Sequence, residues 1–164
     1  MPRLAPTFSP VPDGSTPLEL NISSGELHVS AAPCLIGTVL GSCVAVAVFS
    51  PQRRLGGLNH YLLPDDGDDG RHAGWAIPEL VRRVSAFGCK PRDLQAKIFG
   101  GTSPVSAMRG KRGVGDANVE AARRLLAELG IKVVGERVGG DDGMRVILES
   151  WTGVVWVRIH QRRH

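Results

Sequence analysis

Aromatic side chains make up only 5% of the 164 residues, with a single tyrosine, too few for the stacking platforms on which single-stranded nucleic acids are bound. No apolar run approaches the roughly 20 residues of a membrane-spanning helix, so direct membrane insertion is not expected. Cysteine is scarce and odd in number: Cys34, Cys43 and Cys89 fit neither a disulfide framework nor paired zinc knuckles, and free thiols in a reducing cytoplasm are the expectation. The N-terminus holds one basic residue in its first 17 and no apolar core, so it lacks the parts of a secretory signal.

What is present points to one turn-rich domain. The hydrophobic fraction of 42% suffices for a core, and 21 glycines and 11 prolines without a collagen period imply many turns. The formal charge is +4, but Arg158, Arg162 and Arg163 lie in the last seven residues; without them 17 basic residues face 16 acidic ones. The basic end reads as a solvated tail, and no nucleic-acid partner is expected.

Five prolines fall in residues 1–17 and predict a flexible or extended tail ahead of a single domain over 18–159, with a basic tail at 160–164. Short strands are predicted at 18–22, 26–32, 35–41 and 43–49, the last an apolar, valine-rich run opened by Cys43 and suited to a buried central strand. A polar turn at 50–54 returns the chain through 55–63, which carries His60. One helix is predicted around Leu80, Val81, Val84 and Phe87 with Pro78 in its first turn, and a second from an Asp116 N-cap to a Gly130 stop. With strands at 94–100, 131–138, 144–150 and 154–159, strands outnumber helices. The fold class is therefore α+β, a layered, mixed, largely antiparallel sheet core flanked by helices.

The chemistry concentrates in TVLGSCVAVAV. Gly41 lets backbone approach a substrate, and a cysteine where a turn enters a strand can present its sulfur while the N–H groups of Ser42 and Cys43 point at a developing oxyanion. His60 interrupts an otherwise apolar strand 17 residues on, where a hairpin turning near 51–54 sets it close to directly opposite Cys43; such pairing would lower the thiol pKa. A third group would orient the imidazole, and Thr38 is the only threonine between Thr16 and Thr102, although five residues of regular strand would turn it away from Cys43 unless Gly41 bends the chain. A buried structural cysteine, a satisfied histidine and an ordinary strand threonine are the competing readings, and Ser42 lacks the GxSxG setting of a serine nucleophile. The acidic loop around His72 lacks the ligand spacing of a calcium loop and reads as solvated.

The segments LGSCVAVAV, GGLNHYLLP, LQAKIFGGT, GVGDAN and VGGDDGMRV, in this order and spacing, resemble the chemoreceptor glutamine deamidases, the CheD family, over roughly residues 20–159. The resemblance implies a fold similar to the catalytic domain of a toxin that deamidates glutamine in small GTPases. It also implies hydrolysis of glutamine side-chain amides on methyl-accepting chemotaxis receptors, with no metal or organic cofactor. Cys43 matches the nucleophile and His60 the base. The third member is a threonine just before the GSC segment; Thr38 is the nearest match, and an offset of one would put Gly37 there. Trp75 and Met144 depart from the pattern, while Asn118 and Gly115 match it, read as positioning the second helix. The CheC phosphatase is an implied partner, and a receptor- or CheC-binding module without catalysis is the alternative function.

Overall fold

In a computed structural model, residues 6–103 and 113–160 are described; the middle of the glycine-rich loop and the extreme basic tail lie outside them. The chain runs β1 (Leu18–Asn21), β2 (Leu27–Ser30), β3 (Cys34–Leu40), β4 (Val44–Ser50), β5 (Leu55–Asn59), α1 (Ala73–Ser85), β6 (Gln95–Gly100), α2 (Val114–Glu128), β7 (Lys132–Val138), β8 (Met144–Glu149) and β9 (Val155–Ile159). Consecutive strands do not all stay together: β1-β3-β8-β9 form one sheet and β2-β5-β4-β6-β7 another. Only β1 with β3 and β6 with β7 pair in parallel. This is the expected α+β class.

Strand β4 shows why its sequence is apolar throughout. Val44, Val46 and Val48 meet the two helices, whereas Ala45 and Ala47 meet the four-stranded sheet through Ile36, Leu40 and Met144. A strand covered on both faces cannot alternate with polar residues. The result is three layers, helices on sheet on sheet. Helix α1 buries Ala73, Ala76, Ile77, Leu80, Val81 and Val84, one face at helical spacing; each large aliphatic side chain removed from water contributes about 1.5–3 kcal/mol. Gly57 lets the helix lie close, since a methyl group there would stand 2.9 Å from Leu80 and 2.6 Å from the His28 carbonyl.

Two local expectations shift. Helix α1 begins at Ala73, upstream of Pro78, which therefore lies inside the helix and not in its first turn. Helix α2 begins after Gly113, and Asp116 sits in its first turn with its carboxylate accepting from the Gly113 N–H. The carboxylate thus caps by reaching back, and Gly130, at φ 74, follows the helix as predicted.

The proline-rich start forms neither helix nor strand over its described part, turns at 12–14, and is docked and not free. Val11 is buried with Leu35 and Trp151, and Phe8 meets Trp156 edge-on at 5.8 Å between ring centroids. Trp151 Nε1 donates to the Pro10 carbonyl at 3.2 Å. Glu149, fully buried, accepts from the Ser9 N–H at 2.9 Å, Trp156 Nε1 at 2.9 Å and the Thr152 hydroxyl at 2.5 Å. Burial opposes its ionisation, but these donors prevail and hold the carboxyl below its usual range. An unfolded glutamate titrates near about 4.3, so the stabilisation is complete above that pH and is lost as pH falls through the lower folded value. Glu149→Gln is expected to lower unfolding free energy by about 1–3 kcal/mol at pH 7. Denaturation at several pH values should show the difference closing in acid; a pH-independent difference would contradict the assignment.

Candidate active site

Between Leu40 and Val44 the chain leaves one sheet and enters the other, and this crossing builds the site. Residues 41–43 are a bend, with Gly41 and Ser42 exposed and Cys43 half-buried. The three successive carbonyls of the bend are each held from outside it: Gly41 O accepts from the Thr102 N–H at 2.9 Å, Ser42 O from Asn118 Nδ2 at 3.0 Å and Cys43 O from the Gly101 N–H at 2.9 Å. Gly100 permits the last approach, with φ 100 and no room for a Cβ beside the Cys43 carbonyl. Among the described residues, the N–H groups of Ser42 and Cys43 have no backbone acceptor.

His60 follows β5 directly. Regular β4–β5 pairing ends at Ala47 with Leu58 and resumes as a bridge between Val44 and Tyr61. In the gap the Asn59 side chain takes the Val46 N–H at 2.8 Å, and the His60 backbone pairs the other way, with Glu26 O at 3.1 Å and the Gly25 N–H at 2.7 Å. The register places Ala45, not Cys43, opposite His60. Cys43 is its diagonal neighbour on the same face, a relation of roughly 7–8 Å between backbones that side chains can bridge. No hydrogen bond joins the thiol to the ring among the described residues.

Thr38 reaches the imidazole from the other sheet. Its Oγ1 lies 2.7 Å from His60 Nδ1 and donates to the Ile22 carbonyl at 2.8 Å. A hydroxyl has one hydrogen. With that hydrogen on Ile22, Oγ1 must accept from Nδ1–H, which leaves Nε2 as the bare lone pair. The bend at 41–43 is the exception under which Thr38 and Cys43 need not face apart: Cys43 packs against the core between the sheets, on the side that Thr38 also faces. Gly37 lies on the opposite face, where an added Cβ would meet Asn21 and Arg145. Thr38 and His60 are both buried.

Burial pushes the Cys43 thiol up, with its own backbone N–H acting in the opposite sense, and pushes the His60 imidazole down. The expected lowering of the thiol pKa is therefore not found. Desolvation penalises both charged partners, and the orienting group is a neutral hydroxyl that exerts no Coulombic pull on imidazolium. Both shifts favour the neutral form, thiol at Cys43 and imidazole at His60.

Gly41 is open on its Cβ side, the nearest atom being Thr102 Oγ1 at 4.0 Å, so the bend leaves open space at this position. His72 closes its loop on Asp65, Nδ1 to Oδ1 at 2.8 Å. A cavity of about 230 Å³ lies elsewhere, on the outer face of the four-stranded sheet between Phe8, Asn21 and Arg145, and carries neither thiol nor imidazole. Asn118 is the contributor that sequence reading placed elsewhere. It is fully buried on the inner stripe of α2, where Gly115, Val119, Ala122 and Leu126 are also buried, and a carboxamide on such a stripe is the signal that marks it.

The family profile described as CheD chemotactic sensory transduction matches residues 62–159, beginning just after His60. A protein of Anaeromyxobacter dehalogenans (strain 2CP-C), "Probable chemoreceptor glutamine deamidase CheD 1", is 42% identical over 159 residues, covering 95% of this chain and 93% of its own. A "Probable chemoreceptor glutamine deamidase CheD" of Sulfurimonas denitrificans is 40% identical over 147 residues, covering 86% of this chain and 94% of its own. The crystal structure of the hypothetical protein YfiH of Bacillus licheniformis overlaps 68% of this chain and 49% of its own, at 16% identity and a TM-score of 0.45. With the profile spanning more than half of the sequence and relatives of this identity along most of it, the chain belongs to the CheD family.

Proposed function

We propose that this protein is a chemoreceptor glutamine deamidase that hydrolyses side-chain amides of selected glutamines on the cytoplasmic domain of methyl-accepting chemotaxis receptors. The observation that carries the reading is the Thr38–His60 hydrogen bond, because it leaves Nε2 of a buried imidazole as the bare lone pair that a thiol on the neighbouring segment requires. The relatives, named as probable chemoreceptor glutamine deamidases, supply the substrate class.

The reaction needs only groups already in the chain. His60 Nε2 takes the proton of Cys43 Sγ as the sulfur attacks the carboxamide carbon. The carbonyl oxygen becomes an oxyanion and accepts from the N–H groups of Ser42 and Cys43, beside the space that Gly41 leaves open. The C–N bond breaks, and His60 returns its proton to the departing nitrogen, which leaves as ammonia. Water then attacks the thioester, giving its proton to Nε2, and the C–S bond breaks to release glutamate and restore the thiol. No metal or organic cofactor enters any step. A cytoplasmic location follows from the substrate, and three free cysteines suit it. Association with a CheC-type phosphatase belongs to the same reading, and binding without chemistry is its separable alternative.

Incubation with receptor cytoplasmic fragment should raise the mass of the modified peptide by about one dalton per glutamine. Cys43→Ala should abolish that gain, by about 10³-fold or more, while receptor binding persists. An unchanged rate would remove Cys43 from the mechanism.

Thr38→Val should keep the fold and lower kcat by about 10–100-fold, by releasing the ring to the wrong tautomer, with Thr38→Ser retaining most activity. The neutral imidazole is the working form and burial lowers its pKa. The acidic limb of kcat/KM should therefore have its midpoint below the usual imidazole value of about 6.5, with activity lost as pH falls through it. A limb centred above that value would contradict His60 as a buried base.

A further inference from the structure

Asn118 occupies a place where the packing asks for an aliphatic side chain. It is fully buried on α2, between Gly115 and Ala122 on the stripe that faces the sheet. Its carboxamide hydrogens are both committed, one to Ser42 O at 3.0 Å and one to Leu62 O at 2.9 Å. Both partners are carbonyls, so the nitrogen must be the atom that faces them. The other end, Oδ1, is buried with no partner among the described residues. A leucine would suit the helix and the core and leave no orphaned acceptor. A residue that carries this cost is held by its two bonds.

The carbonyls it holds are not arbitrary. Ser42 O belongs to the peptide unit whose other end is the Cys43 N–H. In a trans peptide the C=O and N–H point in opposite directions, and no cis bond occurs among the described residues. Fixing Ser42 O on the α2 side therefore aims the Cys43 N–H away from α2. A hydrogen bond to the carbonyl also polarises the amide and strengthens its N–H as a donor. Leu62 lies two residues beyond His60, so one side chain ties together the segment bearing the thiol and the segment bearing the imidazole. Tyr61 anchors the clamp in turn, its hydroxyl donating to the Asn118 backbone carbonyl at 2.5 Å.

We infer that Asn118 is a positioning residue for the oxyanion site: through the Ser42 carbonyl it orients and polarises the Cys43 N–H that stabilises the tetrahedral intermediate. This rests on the deamidase reading with Cys43 as nucleophile, and it adds a requirement that reading does not contain.

The test separates oxyanion stabilisation from thiol reactivity. Iodoacetamide alkylates a thiol by displacing iodide, with no oxyanion formed, whereas amide hydrolysis passes through one. Asn118→Leu and the isosteric Asn118→Asp both remove the two N–H donors. In whichever variant folds, kcat for receptor-fragment deamidation should fall about 100-fold. KM should change by less than about threefold, and the alkylation rate of Cys43, followed by peptide mass, should stay within about twofold of wild type. Leu126→Ala, two helical turns further along α2, controls for loss of helix packing and should keep kcat within about twofold. A folded variant with undiminished kcat, or a parallel fall of kcat and alkylation, overturns the inference. In the unsubstituted protein, NMR should detect a through-hydrogen-bond coupling between Asn118 Nδ2 and the Ser42 carbonyl carbon, and its absence overturns the inference without any variant. If Cys43→Ala remained active, the deamidase reading itself would fail; normal Asn118 variants beside a dead Cys43→Ala would remove only the clamp.

Discussion

One hydrogen bond between two sheets organises this molecule, that between Thr38 Oγ1 and His60 Nδ1 at 2.7 Å. Thr38 stands on β3 of one sheet and His60 at the end of β5 of the other, so the contact exists only while the two sheets keep their distance and register. The surrounding core fixes that separation: Ile36, Leu40, Ala45, Ala47, Leu58 and Met144 fill the same layer. Small alanines on β4 face bulky residues on β3 and β8, which keeps the layer packed without forcing the sheets apart. Because the Thr38 hydrogen is committed to Ile22 O, the ring tautomer is determined by packing as well as by chemistry.

A hydroxyl in the orienting position has an electrostatic consequence. A carboxylate there would stabilise imidazolium and raise the pKa of the ring, favouring a preformed thiolate–imidazolium pair. Threonine orients without that attraction, and burial then works against both charges. In the proposed reaction this neutral couple separates charge only as the sulfur attacks, and the N–H groups of Ser42 and Cys43 receive the charge that develops. That reaction requires donors free of backbone acceptors, as these two are among the described residues, while the carbonyls of the bend are held by Thr102, Asn118 and Gly101.

The sequence made the ingredients legible but not the assembly. The apolar run of β4, the hairpin to β5 and the stop at Gly130 follow from local patterns, as does the choice of Cys43 and His60 as candidate residues. That Gly41 could bend the chain between Thr38 and Cys43 was legible; that the bend carries it from one sheet to the other was not, because period-two reasoning assumes one sheet. The diagonal placement of Cys43 and His60 follows from the exact hairpin register, which keeps one alignment from Ser50 with Leu55 to Val44 with Tyr61, while the Asn59 side chain replaces a backbone bond in a way no periodicity encodes. Cap positions failed for a similar reason: Asp116 is a fitting N-cap by type, yet tertiary packing extends α2 one turn further back. The docking of Phe8 and Val11 depends on distant partners, Trp151 and Trp156, that the density of prolines conceals.

The protonation of His60 is the most direct measure of this account. Nitrogen-15 NMR of histidine-labelled protein, followed through a pH titration, should show the His60 ring protonated at Nδ1 and bare at Nε2 near neutral pH. It should become cationic only below the usual imidazole pKa of about 6.5. A ring protonated at Nε2, or one already cationic at pH 7, would contradict a base oriented by Thr38 and kept neutral by burial.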